Sequence, residues 1–258
     1  MKVVILAGGK GSRISEESQY RPKPMVEIGG KPILWHIMKI YSAYGYDNFV
    51  ICCGYKGSVI KKYFTNYYSY QADAEHDLKN KRVKYNKKSE ENWKIILANT
   101  GYETLTAGRI LKIRQYVQDE EDFMLTYGDG VSDIDINKLI DFHKSHGKLV
   151  TITTTKPPGR FGSIDISEDG KINCFREKNR EDQSWVNTGF MVMNKKVFDY
   201  LGDGEDMLER TPFERLVTTG ELMAFRHNGF WSPMDTIRDK AYLEQLWSTG
   251  EAPWKMWK

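Results

Sequence analysis

Three groups of residues in this chain carry chemistry that a structural role alone would not require. The first is the run Leu6-Ala7-Gly8-Gly9-Lys10-Gly11-Ser12-Arg13, followed by Lys23 inside Arg21-Pro22-Lys23-Pro24. Glycine lets backbone N–H groups approach a phosphate with no Cβ in the way and accepts the positive φ such loops need. Arg13 and Lys23 would add positive charge on either side of the same anion. The second group is a pair of carboxylates far apart in sequence, Asp129 in Gly128-Asp129-Gly130 and Asp235 in Trp231-Ser232-Pro233-Met234-Asp235-Thr236. Two such groups can share one Mg²⁺, a hard ion that takes oxygen ligands and keeps several waters. Asp129 reads equally well as a turn aspartate, and Asp235 as the N-cap of a helix starting at Thr236 and Ile237. The third is Glu177-Lys178, either a solvated surface pair or a lysine placed for a second phosphate.

The elements that must position these groups follow from periodicity. Val3-Val4-Ile5-Leu6 reads as a buried strand that breaks into the glycine loop. Residues 33–44 have helical spacing, 48–53 form an apolar strand, and Ser58 is placed to cap a helix running to about residue 66. This alternation predicts a parallel α/β sheet with helices on both faces. Residues 104–117 are a candidate helix, 123–127 a strand stopping at Gly128, and 136–145 a helix capped by Asp133 or Asp135. From residue 150 the chain turns β-rich, with strands at 150–155, 163–166, 172–176 and 185–193. It ends with a helix at 212–219, a strand at 222–227 and a helix at 236–247. Ligands of open parallel sheets bind beyond the carboxyl ends of the strands, which is where the glycine loop, Asp129 and Asp235 fall.

Bulk properties exclude several functions. The 38 basic and 35 acidic residues nearly balance, giving no general attraction to nucleic acid or to an anionic membrane. The basic run Lys79 to Lys88 is diluted by Asp77, Glu90 and Glu91, and reads as a solvated hairpin of 82–86 with 93–99, or as an oligomer contact. No apolar run approaches the ~20 residues of a membrane span, and the N-terminus reads as a strand, not a secretory leader. Three cysteines are too few for a disulfide framework, and Cys52 and Cys53 point to opposite faces of a strand. Reduced thiols suit the cytoplasm. His143 and His146 share a helix face but lack a third ligand, so a solvated or capping role is expected. Trp247, Trp254 and Trp257 are expected to pack on the body or on a neighbouring subunit.

Two phosphate-loop fingerprints fail. The dinucleotide pattern lacks its third glycine, since Ile14 follows Arg13, and the P-loop pattern fails because Pro32 follows Gly30-Lys31. What remains resembles the nucleotide-sugar pyrophosphorylases, the sugar-phosphate nucleotidyltransferases. Gly128-Asp129-Gly130, Glu177-Lys178 and Met234-Asp235-Thr236 recur in the family's order. The likeness extends through Pro24-Met25-Val26-Glu27, Cys52-Cys53-Gly54-Tyr55 and Pro157-Pro158-Gly159-Arg160-Phe161-Gly162, and covers nearly the whole chain. It is narrowest to the branch that joins CTP to glucose 1-phosphate, making CDP-glucose for bacterial dideoxysugars.

The resemblance implies a Rossmann-like, mixed but mainly parallel sheet flanked by helices. It implies a single domain over 1–258, with a nucleotide-binding half at 1–135 and a β-rich sugar-phosphate half at 136–258. The triphosphate would lie on the loop from Leu6 to Arg13 beside Lys23, with Thr104, Arg109 and Gly128 also contacting the nucleotide. Mg²⁺ would be held by Asp129 and Asp235. Lys178 would hold the sugar phosphate, with Glu177, Asn187 and Gly162 around the sugar. Arg13, Lys23 and Lys178 would be the catalytic cations, in a cytoplasmic homo-oligomer (hexameric in close relatives). Asn179 stands where relatives carry proline, and Thr188 where they carry glycine, both beside the implied sugar site. Another pyrimidine nucleotide, another sugar phosphate or a non-catalytic regulatory homologue remain alternatives.

Overall fold

The computed structural model describes residues 1–10, 20–69, 72–86, 91–157 and 184–257, and the backbone of 163–166 and 172–176. Five consecutive apolar residues, buried on both faces, make Val3–Ala7 (β1) a central strand. Around it form β2 (Asn48–Cys53), β3 (Lys94–Asn99), β4 (Asp122–Tyr127), β5 (Val150–Thr155), β6 (Val186–Asn194) and β7 (Leu222–Arg226). They make one seven-stranded sheet in the order β7-β5-β6-β4-β1-β2-β3. Strand β6 runs antiparallel to both its neighbours and the other adjacent pairs are parallel, so the expected mixed, mainly parallel sheet is present.

Among the described residues the longer helices are α1 (Ile33–Ser42), α2 (Gly57–Thr65), α3 (Thr106–Lys112), α4 (Ile136–His146), α5 (Thr211–Thr218) and α6 (Ile237–Ser248). The period-2 alternation of the strands splits the core in two. Val3, Ile5, Phe49, Ile51 and Cys53 face α1, α2, α4 and α6. Val4, Leu6, Val50 and Cys52 face α3 and α5. The two cysteines thus lie on opposite faces, as their adjacency requires. The C-terminal tryptophans pack on the body: Trp254 is fully buried, stacked on Phe230 and Trp247. Its indole Nε1 donates to His36 Nδ1 at 3.4 Å, while His36 Nε2 donates to the Ile28 carbonyl at 2.8 Å. Burial lowers the His36 pKa to about 4, so the imidazole is neutral.

Several boundaries differ from expectation for physical reasons. Arg82–Tyr85 pairs with Ala74–Asp77 and not with the strand that follows it. That strand, β3, joins β2 in parallel, because Ile95, Ile96, Leu97 and Ala98 offer apolar groups to both faces of the sheet. Ser58 is inside α2 and does not cap it; the N-cap is Lys56, in the left-handed conformation with φ 48°. The helix expected over 104–117 starts at Thr106 and breaks at Ile113 before Arg114–Val117. His143 is buried rather than solvated, whereas the partly exposed His146 accepts from the Lys148 amide at 2.9 Å just past the helix end; His143 Nδ1 and His146 Nε2 each lie 2.8 Å from the Thr151 hydroxyl. Asp135 caps α4 by accepting from the Lys138 amide at 3.0 Å.

Candidate active site

Beyond the carboxyl ends of β1 and β4 lies a cavity of about 600 Å³. Strand β1 delivers Leu6, Ala7, Gly8 and Gly9 to its wall, and β4 delivers Tyr127, Gly128 and Asp129. Lys23 enters from a short 3-10 turn, Lys23–Met25, started by Pro22. Gly128 fixes how closely this turn approaches. A Cβ there would lie 2.9 Å from the Pro24 ring and 3.0 Å from the Leu6 carbonyl, so a side chain would push Lys23 away.

Asp235 arrives from the other end of the chain. The short strand Trp231–Pro233 pairs antiparallel with Gly130–Ser132, and the Met234 amide donates to the Asp129 carbonyl at 2.8 Å. Thr236 and Asp239 form a capping box at the start of α6, so Asp235 is not its N-cap. Its carboxylate meets the Lys23 ammonium, which also donates to Asp129 Oδ2 at 2.7 Å. Three groups separated by more than a hundred residues therefore converge at one point. One ammonium between two carboxylates leaves a net negative charge, with hard oxygen donors already gathered around a cation. This donor set fits Mg²⁺, which commonly takes one or two carboxylates and completes its shell with waters and substrate phosphates.

Arg109, expected to contact the nucleotide, lines the cavity and also braces the chain around it. The side chain lines the cavity but is 4% exposed, and its guanidinium is spent on the chain itself. Nη1 donates to the Thr100 hydroxyl (2.7 Å) and the Gly101 carbonyl (2.9 Å); Nη2 donates to the carbonyls of Gly8 (2.9 Å) and Tyr102 (3.4 Å). All four Nη hydrogens are thereby used. A Cβ on Gly8 would lie 2.2 Å from Nη1, so Gly8 is glycine to admit this brace. Burial lowers the Arg109 pKa from its ordinary value. Arg109 ties the ends of β1 and β3 together and so shapes the loop a nucleotide would meet.

Of the other expected site residues, Thr104 and Asn187 line the cavity, whereas Lys10 is turned to the surface, 2.9 Å from Glu103. Gly11, Ser12, Arg13, Gly162, Glu177 and Lys178 lie outside the described residues. Thr188 is buried, and its hydroxyl donates to the Thr153 carbonyl at 3.0 Å, so its extra atoms are absorbed by the sheet.

Residues 2–244 match the family model described as nucleotidyl transferase. The chain belongs to that family. It is 53% identical to the glucose-1-phosphate cytidylyltransferase of Salmonella typhi and 44% identical to the probable glucose-1-phosphate cytidylyltransferase of Bacillus subtilis, each over the whole of both chains. Among solved structures, HddC from Yersinia pseudotuberculosis superposes with a TM-score of 0.67 at 23% identity, covering 95% of this chain and 99% of that one, a likeness of fold.

Within this nucleotidyltransferase cavity stand residues that sequence reasoning passed over. Tyr127, Trp231, Thr106, Met207 and Glu209 all line it. Tyr127 and Trp231 were legible as the last residue of a strand and part of the Asp235 motif. Glu209 gave no signal, being one acidic residue in the polar loop before α5. Among the described residues no helix is long and apolar enough to cross a membrane.

Proposed function

We propose that this nucleotidyltransferase transfers the cytidylyl group of CTP to α-D-glucose 1-phosphate, giving CDP-glucose and pyrophosphate. The observation that carries the reading is the end-to-end 53% identity to the Salmonella typhi glucose-1-phosphate cytidylyltransferase. The convergence of Lys23, Asp129 and Asp235 beside Gly8 and Gly9 in one cavity supports it.

A sugar phosphate oxygen, anionic at neutral pH, attacks the α-phosphorus of CTP. A P–O bond forms there as the bond to the β-phosphate breaks, and pyrophosphate leaves with the electron pair. No protein nucleophile is required. The nearby thiols would be poor ones: burial pushes Cys53 up to about 11 and Cys52 higher still. The obstacle is bringing two anions together, so positioning and charge neutralisation are the catalysis. The amides of Gly8 and Gly9 and the ammonium of Lys23 would hold the triphosphate. Arg13 would add charge on its far side, and Lys178 would hold the sugar phosphate. Asp129 and Asp235 would bind Mg²⁺, which supplies neutralisation of charge on the phosphates when bound. Arg109 keeps the glycine loop in place.

The chain would act as a cytoplasmic homo-oligomer feeding dideoxysugar synthesis. Exposed Leu78, Val83 and Tyr85 on the hairpin of Ala74–Asp77 with Arg82–Tyr85 support a subunit contact there. The test of the activity is pyrophosphate release across a panel of nucleoside triphosphates and sugar 1-phosphates, with and without Mg²⁺. CTP with glucose 1-phosphate should be preferred. A preference for UTP or dTTP would overturn the base assignment, and no turnover with any pair would overturn the reading.

A further inference from the structure

The cavity lining also holds a polar cluster that the reaction above leaves unused. Glu209, from the loop before α5, accepts from the Tyr127 hydroxyl through Oε1 and from the Thr106 hydroxyl through Oε2 at 2.9 Å. Thr106 also accepts from the Leu208 amide at 2.6 Å, so the loop carrying Glu209 is fastened to the first turn of α3. Asn187, the residue placed beside the sugar, lines the same cavity as Tyr127. Trp231 lines the same region, its Nε1 donating to the Thr188 carbonyl at 3.0 Å.

The charge of this wall decides what it can face. Among the described residues Glu209 pairs with no lysine or arginine. A carboxylate on the exposed rim of a cavity for two phosphorylated substrates repels phosphate, so it belongs beside an uncharged part of a ligand that donates hydrogen bonds. Each oxygen has one protein donor and lone pairs to spare. A carboxylate, an amide and an indole side by side match the alternating hydroxyl and C–H faces of a sugar ring. We propose that Glu209, oriented by Tyr127 and Thr106, accepts a hydrogen bond from a hydroxyl of the sugar ring and is a specificity determinant for the sugar 1-phosphate. This rests on the transfer reaction proposed above.

The test compares wild-type protein with Glu209→Ala, Glu209→Gln and Tyr127→Phe, using glucose 1-phosphate and its monodeoxy analogues. A hydrogen bond to a charged acceptor is worth about tenfold to a hundredfold in kcat/KM, and Glu209→Ala should lose that much with glucose 1-phosphate. The loss should vanish with the one analogue that lacks the contacted hydroxyl, while the KM for CTP stays unchanged. Glu209→Gln keeps volume and an acceptor and should lose less. Tyr127→Phe should raise the KM for the sugar phosphate while melting stays near wild type. Equal losses on every analogue would overturn the proposal in favour of a structural role. A raised KM for CTP, or lost discrimination between CTP and UTP, would overturn it by placing Glu209 at the base. If the wild-type protein neither turns over nor binds glucose 1-phosphate, both this assignment and the transfer reading fall.

Discussion

Gly8 and Gly9 are adjacent, yet packing demands glycine at the first, and only the proposed phosphate contact asks for it at the second. A Cβ at Gly8 would fall 2.2 Å from Arg109 Nη1 and 2.4 Å from Cζ, inside a guanidinium that donates to four separate acceptors. The brace cannot keep its geometry against a methyl group there. Losing one or two of these charge-assisted bonds should cost about 3 kcal/mol. For a chain of this size that lowers the melting temperature by about 6–12 °C. At Gly9, among the described residues, nothing lies within 4 Å of the added Cβ, and φ is not positive. Gly9→Ala should therefore melt at or slightly above the wild-type temperature, through the usual entropy gain of about 0.4–1 kcal/mol. It should nevertheless bind CTP at least about tenfold more weakly, because the methyl occupies the approach of a phosphate to the backbone. Thermal melting and CTP titration by calorimetry on both variants separate the two effects. Gly8→Ala melting within about 1 °C of wild type would refute the brace. Gly9→Ala binding CTP normally would refute the phosphate cradle.

Other expectations follow from the same geometry. Burial holds His36 at about 4 against an ordinary 6.5. Between those values the unfolded chain takes up a proton that the folded chain does not, so stability falls as pH drops through the window. The full effect is about 3 kcal/mol, and urea titrations of His36→Gln should show a shallower acid slope than wild type; equal slopes would contradict the assignment. Trp254→Ala empties a fully buried site among Phe230, Trp247 and His36 and should cost about 3–5 kcal/mol in urea unfolding. Asp235→Asn keeps the shape of the side chain and should melt near wild type, yet lose turnover by about a hundredfold or more and require higher Mg²⁺. Near-normal rates would remove Asp235 from the metal site.

Much of the fold was legible because strong local patterns agreed with tertiary demands. Asn48–Cys53 and Val150–Thr155 form as their unbroken apolar or β-branched runs suggest. The basic strand Arg82–Tyr85 pairs with Ala74–Asp77 and not with β3 as its sequence suggests, because pairing depends on which neighbour can bury a face, and β3 finds that burial against β2. Asp129 and Asp235 could be named from their positions after strands, but either could equally have been a turn or cap residue. The fold brings both to Lys23, and that meeting depends on the pairing of Trp231–Pro233 with Gly130–Ser132. Arg109 was legible as a site residue but not as a brace, since its acceptors are backbone carbonyls that no side-chain pattern records. Glu209 was invisible because nothing local distinguishes a loop carboxylate that meets a strand-end tyrosine more than eighty residues away.

The central claim is that this cavity joins two phosphorylated substrates by direct displacement on the α-phosphorus of CTP. Incubating the protein with CTP and Mg²⁺, with and without α-D-glucose 1-phosphate, and following pyrophosphate and CDP-glucose together tests it most directly. Pyrophosphate should appear only when the sugar phosphate is present, in equal amount with CDP-glucose. Its absence under both conditions, or its release from CTP alone without a sugar nucleotide, would contradict the account.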